Sequence, residues 1–136
     1  MVDACDELGT VLSGCNRVTL ALWAMGIAEH VAVHVPDSDA VAHSTALCSD
    51  VVYGFVEGTM EPQEMRRRIS EVRRSADSSE GIERTVLRTI AEAMSVCITR
   101  DHASRVSALA VEVAVSSGGS TEAGELAWQL SYMSHV

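Results

Sequence analysis

The sequence contains no lysine: its ten basic side chains are all arginine, set against nineteen carboxylates for a formal net charge of −9. That balance excludes a chain that binds nucleic acid through a generally basic surface. Aromatic residues are almost as scarce, being only Trp23, Trp128, Tyr53, Tyr132 and Phe55. Valine and alanine together supply 35 residues, so the core must be built from small aliphatic groups packed closely. Proline occurs only at positions 36 and 62, and paired glycines only at 118–119. Too few breakers remain for a fold of many short strands.

Other absences narrow the chemistry. Cys5, Cys15, Cys48 and Cys97 are spaced too widely for a zinc knuckle or a thioredoxin-type pair, and their apolar surroundings predict buried, reduced thiols. The longest apolar stretch, Val18 to Ala28, is too short to cross a bilayer. The N-terminus carries Asp3, Asp6 and Glu7 where a secretory signal needs positive charge, so the chain reads as cytoplasmic. There is no G-x-S-x-G elbow, no glycine-rich phosphate loop and no H-E-x-x-H pair. Nothing in the pattern calls for a cofactor or marks two carboxylates as an acid and base pair.

What is present is helical periodicity. With 136 residues, 47% of them apolar, the chain suits one domain spanning 1–136, an all-α bundle of about six to seven helices. A first helix is expected over about Val2 to Leu12, ending near Gly14. Asn16 can cap a second that runs to about Val35. The acids of Pro36-Asp37-Ser38-Asp39 can cap a third, whose apolar face reads Val41, Thr45, Cys48, Val52 and Phe55, with Gly58 closing it. Pro62 opens a fourth, with the single stripe Met65, Ile69, Val72 and Ala76. Asp77-Ser78-Ser79 is expected to start a fifth, Asp101 to cap a sixth and Ser120 to open the last. Val31–Val35 and Val111–Val115 alternate with period two, as strands would, but both sit inside longer helical patterns and are assigned to helix.

Charge is segregated. Residues 1–65 hold ten carboxylates and one arginine, residues 66–105 nine arginines and six carboxylates, and residues 106–136 three carboxylates and no base. Arg66-Arg67-Arg68 and Arg73-Arg74 form a basic cluster without interleaved aromatics, with Glu64, Glu71 and Asp77 within reach. A solvated, salt-bridged face is expected there. His30 and His34 stand four apart, and with His102 (or His43) they could complete a three-histidine metal site. Capping and packing of those imidazoles is the alternative. Trp23 and Trp128 are expected as core anchors, a half-exposed Trp128 being the natural anchor for a partner.

Several segments, taken in order, resemble one family. Leu22-Trp23-Ala24-Met25 with Ala28-Glu29-His30-Val31 resembles the L-W-A…A-E-x-V helix of a helical immunity protein family, the predicted antitoxins of bacterial polymorphic toxin systems. Pro36-Asp37-Ser38-Asp39 falls at the family's proline–aspartate turn, and Gly58 and Glu64 near its inter-helix glycine segment. Arg100-Asp101-His102-Ala103 looks like its A-D-H-A helix start, and Ala127-Trp128-Gln129-Leu130 like its W-Q-L ending. The resemblance covers about residues 18–132. It departs where the family carries Arg-Pro-Arg and this chain has Val41-Ala42-His43, which puts in doubt any partner contact made by that basic segment.

The resemblance implies a non-catalytic protein that binds and neutralises a cognate protein toxin by occlusion. A basic toxin would suit the acidic half of the chain, with Asp37, Asp39, Glu57, Glu61 and Trp128 as candidate contacts. Two other readings stand beside it. One is a metal-binding helical-bundle enzyme using His30, His34 and His102; the other is a dimerising helical adaptor.

Overall fold

A computed structural model describes residues 4–136. It contains α1 (Ala4–Gly14), α2 (Arg17–Ala32), α3 (Asp39–Glu57), α4 (Pro62–Asp77), α5 (Gly81–Ser95), α6 (His102–Ser116) and α7 (Glu122–Met133). Among the described residues there is no strand, and the fold is all-α as the periodicity predicts. Val2 and Asp3, where the first helix was expected to begin, lie outside the described residues.

Helix α5 packs against α2, α3, α4 and α6, and α6 in turn carries α7. Val86, Leu87, Ile90, Ala93 and Met94 of α5 are fully enclosed. Helix α2 is apolar nearly all round, burying Leu20, Ala21, Trp23 to Ala28 and Val31, which is the pattern of an interior helix. Helix α4 lies at the other extreme. It buries Met65, Ile69, Val72 and Ala76, the stripe read from the sequence, and presents mostly arginine and glutamate elsewhere. No helix among the described residues is long and apolar enough to cross a membrane.

The helix ends show which local signals were decisive. Asn16 caps α2 through Oδ1, which accepts from the Thr19 N–H at 2.8 Å. Gly58 closes α3 in the left-handed region, with φ 71°, and the turn folds back so tightly that a Cβ on Gly54 would stand 2.8 Å from that of Met60. Pro62 takes the first turn of α4.

Other boundaries differ from expectation. Helix α2 stops at Ala32 instead of Val35, because Pro36 disfavours helical backbone just before it, and Val33 to Val35 form turns. Ser38 caps α3, where acids were expected, its Oγ accepting from Val41 N–H at 3.1 Å. Asp77 ends α4 and does not start α5. The Arg84 guanidinium takes the carbonyls of Ala76, Asp77 and Ser79, satisfying the orphan acceptors at that end. Asp101 makes no capping bond, since its own backbone is already helical, and Thr121 caps α7 in place of Ser120.

The four cysteines are free thiols, but only Cys48 and Cys97 are buried. Burial pushes the Cys97 thiol up to about 12 and the Cys48 thiol higher still. Cys5 is exposed and Cys15 half-buried, because α1 is an outer helix that encloses only Leu8 and Leu12.

On α4, Arg67 and then Arg68, through hydrogen bonds to its carboxylate, hold Glu64 down to about 2 from an ordinary 4.5. The folded value lies below the unfolded one, so the stability this group contributes is complete above pH 4.5 and is lost as pH falls toward 2. An acid titration of helicity is therefore expected to be shallower for Glu64→Gln than for the unmodified chain over that interval. The two curves should converge at lower pH, where Glu64 is protonated.

Candidate functional site

Three rings form a stack where the C-terminal turn of α2 meets α7. His30 lies parallel to Trp128, with centroids 3.6 Å apart and planes within 10°. Tyr132 continues the stack at 5.2 Å and 6° from Trp128. Trp128 and Tyr132 stand four residues apart on α7 and so share a face. Both are half-buried, and Tyr53 of α3, which is 47% exposed, adds a further ring nearby. Burial first, then the charges of Glu29 and Tyr53, push the Tyr132 phenol up. Two of the five aromatic residues thus stack with His30 at the surface, where the exposed carboxylate of Glu29 and the phenol of Tyr53 act on Tyr132 through their charge.

The stack rests on a buried polar network. Glu125, 3% exposed, accepts on Oε1 from the Gln129 amide at 3.3 Å and pairs on Oε2 with His30 Nε2 at 3.1 Å. Gln129 is fully buried; its amide oxygen accepts from the Ser107 hydroxyl, and its amide nitrogen also donates to the Ser107 carbonyl at 3.3 Å. The Trp23 indole, itself wholly enclosed, donates to the Gln129 carbonyl at 3.1 Å. Side chains from α2, α6 and α7 are thereby tied together, with the partners of the buried carboxylate and amide all supplied by protein.

Gly26 makes the close approach possible. A Cβ there would collide with the hydroxyl and ring of Tyr132, which lie flat against α2. Chemically the assembly is a rigid aromatic patch with an adjacent carboxylate. Such a surface takes up partner side chains through apolar and ionic contacts.

Of the residues singled out in the sequence, Trp128 stands at the centre of this stack and Trp23 in the core beneath it. Asp37, Asp39, Glu57 and Glu61 are all exposed, but in two separate groups. Asp37 and Asp39 follow the end of α2 that carries His30, while Glu57 and Glu61 flank the far end of α3, about 27 Å along its axis at 1.5 Å per residue. The structure does not bring the histidines together. His30 pairs with Glu125, His34 sits against Gly119, His43 faces Glu71 at 3.2 Å, and His102 binds Glu92 through Nδ1. Among the described residues no three His, Cys, Asp or Glu side chains are placed to hold a metal ion.

The sequence reading passed over Glu29, Tyr53, Tyr132 and the Glu125–Gln129 pair. Two signals marked the latter residues: Trp128 and Tyr132 share one four-residue spacing on α7, and Glu125 and Gln129 share another. A larger apolar groove of about 530 Å³ lies between α1, α6 and α7, lined by Leu8, Leu12, Val111 and Leu126. Among the described residues its ionised groups are Glu112 and Glu122, in a lining of otherwise apolar and small side chains.

A family model described as Imm-5 like putative immunity protein matches residues 10–136. No curated protein and no solved structure matches the chain.

Two substitutions test the construction of this surface. Glu125→Ala removes the acceptor shared by Gln129 and His30 and is expected to cost about 2 kcal/mol in chemical denaturation, with Glu125→Gln costing less. Gly26→Ala gains about 1 kcal/mol of helix propensity but forces Tyr132 off the stack, at a loss of about the same size. Its midpoint should therefore change little while Trp128 fluorescence shifts. A large loss of stability with unchanged fluorescence would contradict the packing described.

Proposed function

The chain belongs to the Imm-5 like putative immunity protein family, and on that premise we propose that it is a non-catalytic inhibitor that neutralises a cognate bacterial toxin by occlusion. The observation that supports a binding role most directly is the aromatic surface around Trp128. In a chain with five aromatic residues, Trp128 and Tyr132 stack with His30 at a half-open surface above a buried polar network. Preformed tryptophan and tyrosine anchors give binding energy at little cost in side-chain entropy.

The chemistry of the surroundings suggests the partner. Glu29 stands beside the rings, and Asp37 and Asp39 follow the same end of α2. A toxin surface bearing arginine or lysine would find carboxylates there, with the aromatic patch to cover the stems of those side chains. The charge of −9 overall, concentrated in residues 1–65, would steer a basic partner toward the complex. Glu57 and Glu61 form a second acidic group at the other end of α3. They enter the same interface only if the toxin spans the length of that helix.

The test is co-expression with a candidate toxin, such as the product of a toxin-like reading frame directly upstream, in a bacterium that the toxin arrests. The unmodified chain is expected to restore growth and to form an isolable complex. Glu29→Arg and Tyr53→Ser, both at exposed positions, should weaken that complex at least tenfold while leaving the fold intact. If the chain is soluble beside an active toxin and growth is not restored, the immunity reading fails. If growth is restored but neither substitution matters, the toxin binds elsewhere.

A further inference from the structure

The arginine cluster of α4 is less uniformly salt-bridged than its sequence suggests. Glu64 takes both Arg67 and Arg68, and Asp50 adds a contact to Arg68 at 3.6 Å. Glu71 is engaged by His43. Among the described residues, Arg66 and Arg73 have no carboxylate partner, and both line a recess of about 270 Å³ between α4, the end of α5 and the start of α6. We infer that this recess is a binding site for a phosphate dianion, carried as inorganic phosphate or as the monoester of a small molecule.

The geometry is a built one. Arg66, Ile69, Ser70 and Arg73 fall at i, i+3, i+4 and i+7, so one face of α4 supplies two guanidinium groups, a hydroxyl and an apolar floor. The arginines stand about 10 Å apart along the helix, close enough for both long side chains to reach one ligand. Arg73 is already oriented: its Nη2 donates at 3.2 Å to the hydroxyl of Ser95, a residue only 3% exposed. That hydroxyl in turn donates to the Ala91 carbonyl at 2.8 Å, so its role is to hold Arg73.

From the third helix comes His102, the first residue of α6. Glu92 holds its Nδ1, leaving Nε2 as the ring nitrogen without a protein partner, at the positive end of the helix dipole.

The two guanidinium groups and the Ser70 hydroxyl that converge from α4 suit a tetrahedral oxyanion better than a planar carboxylate, and His102 adds a donor from α6 when its imidazole is charged, with Glu92 holding the Nδ1 proton. Guanidinium forks bind phosphate oxygens in pairs. The recess has no Phe, Tyr or Trp in its lining on which successive bases could stack, which favours a small phosphate over single-stranded nucleic acid. Residues 66–105 carry nine arginines against six carboxylates, so the local field is positive although the whole chain is acidic.

Calorimetric titration of the full chain with inorganic phosphate and with glycerol 3-phosphate, at fixed pH and ionic strength, tests the assignment. Saturable binding at one site is expected for at least one of the two, and the tighter ligand tells which source the site prefers. Arg66→Gln and Arg73→Gln should each weaken binding tenfold or more, and Arg74→Gln, on the same helix but outside the recess, less than twofold. Arg66 bonds nothing in the fold, so its substitution leaves a folded protein even if Arg73→Gln does not. Three results would overturn the inference. They are no saturable binding of either ligand, equal losses in all three variants, or tighter binding of an oligonucleotide that has only internal phosphodiesters.

Discussion

Everything in this fold depends on the burial of α5. Four of the other helices pack directly on it, and its side chains from Val86 to Met94 include seven that are fully or almost fully removed from solvent, all but Thr89 of them apolar. With so few aromatic residues available, that burial is achieved with valine, alanine, leucine, isoleucine and methionine. Small groups let helices approach closely, and close approach makes each buried methylene count. Helix α4 shows the consequence. Its exposed face is intrinsically unfit for a core, yet four apolar side chains suffice to dock it, because α5 presents a continuous apolar partner.

Helix α7 is attached on different terms. It packs chiefly on α6 and α1, and its buried residues are Leu126 together with Glu125 and Gln129. Replacing apolar contacts by a carboxylate and an amide is costly unless every polar atom finds a partner, and here His30, Ser107 and Gln129 supply them. The gain is direction. Hydrogen bonds to α2 and α6 fix the rotation of α7 about its own axis, which apolar packing alone would leave looser. Fixing that rotation is what presents Trp128 and Tyr132 as a flat, parallel pair.

Much of the architecture was legible in the sequence because it rests on local signals. The stripe on α4, the Asn16 cap, the Gly58 stop and the Pro62 start are each written in a few neighbouring residues. The misplaced end of α4 has a cause of another kind, a distant group that supplied the missing hydrogen bonds. Arg84, reaching back from α5, lets α4 continue to Asp77, and Arg100 similarly takes the carbonyls of Leu12, Ser13 and Cys15 at the end of α1. No periodicity argument can see a cap delivered from another helix. The aromatic surface was half legible. Trp128 was visible as an anchor, but its stacking partner His30 comes from α2, and only the packing of α7 against α2 shows that His30 belongs to a stack.

The absence of lysine turns out to have structural meaning. A guanidinium group can bond two or three carbonyls at once, where a lysine offers a single point of charge. Arg84 uses that fork, through Nε and Nη2, to close the end of α4; Arg100 gathers the carbonyls at the end of α1 on Nη2 alone, and Arg17 reaches the Ile98 carbonyl while lying 5.1 Å from the centroid of the Phe55 ring. Once those arginines are committed to backbone, and Arg67 and Arg68 to Glu64, the free positive charge of the molecule is concentrated elsewhere. Part of it, Arg66 and Arg73, faces a single recess. The acidic half remains available for a cationic partner. One chain can therefore present two surfaces of opposite preference without either cancelling the other, because at physiological ionic strength fields fade over about 8 Å. Local arrangement, and not the net charge of −9, decides what each surface binds.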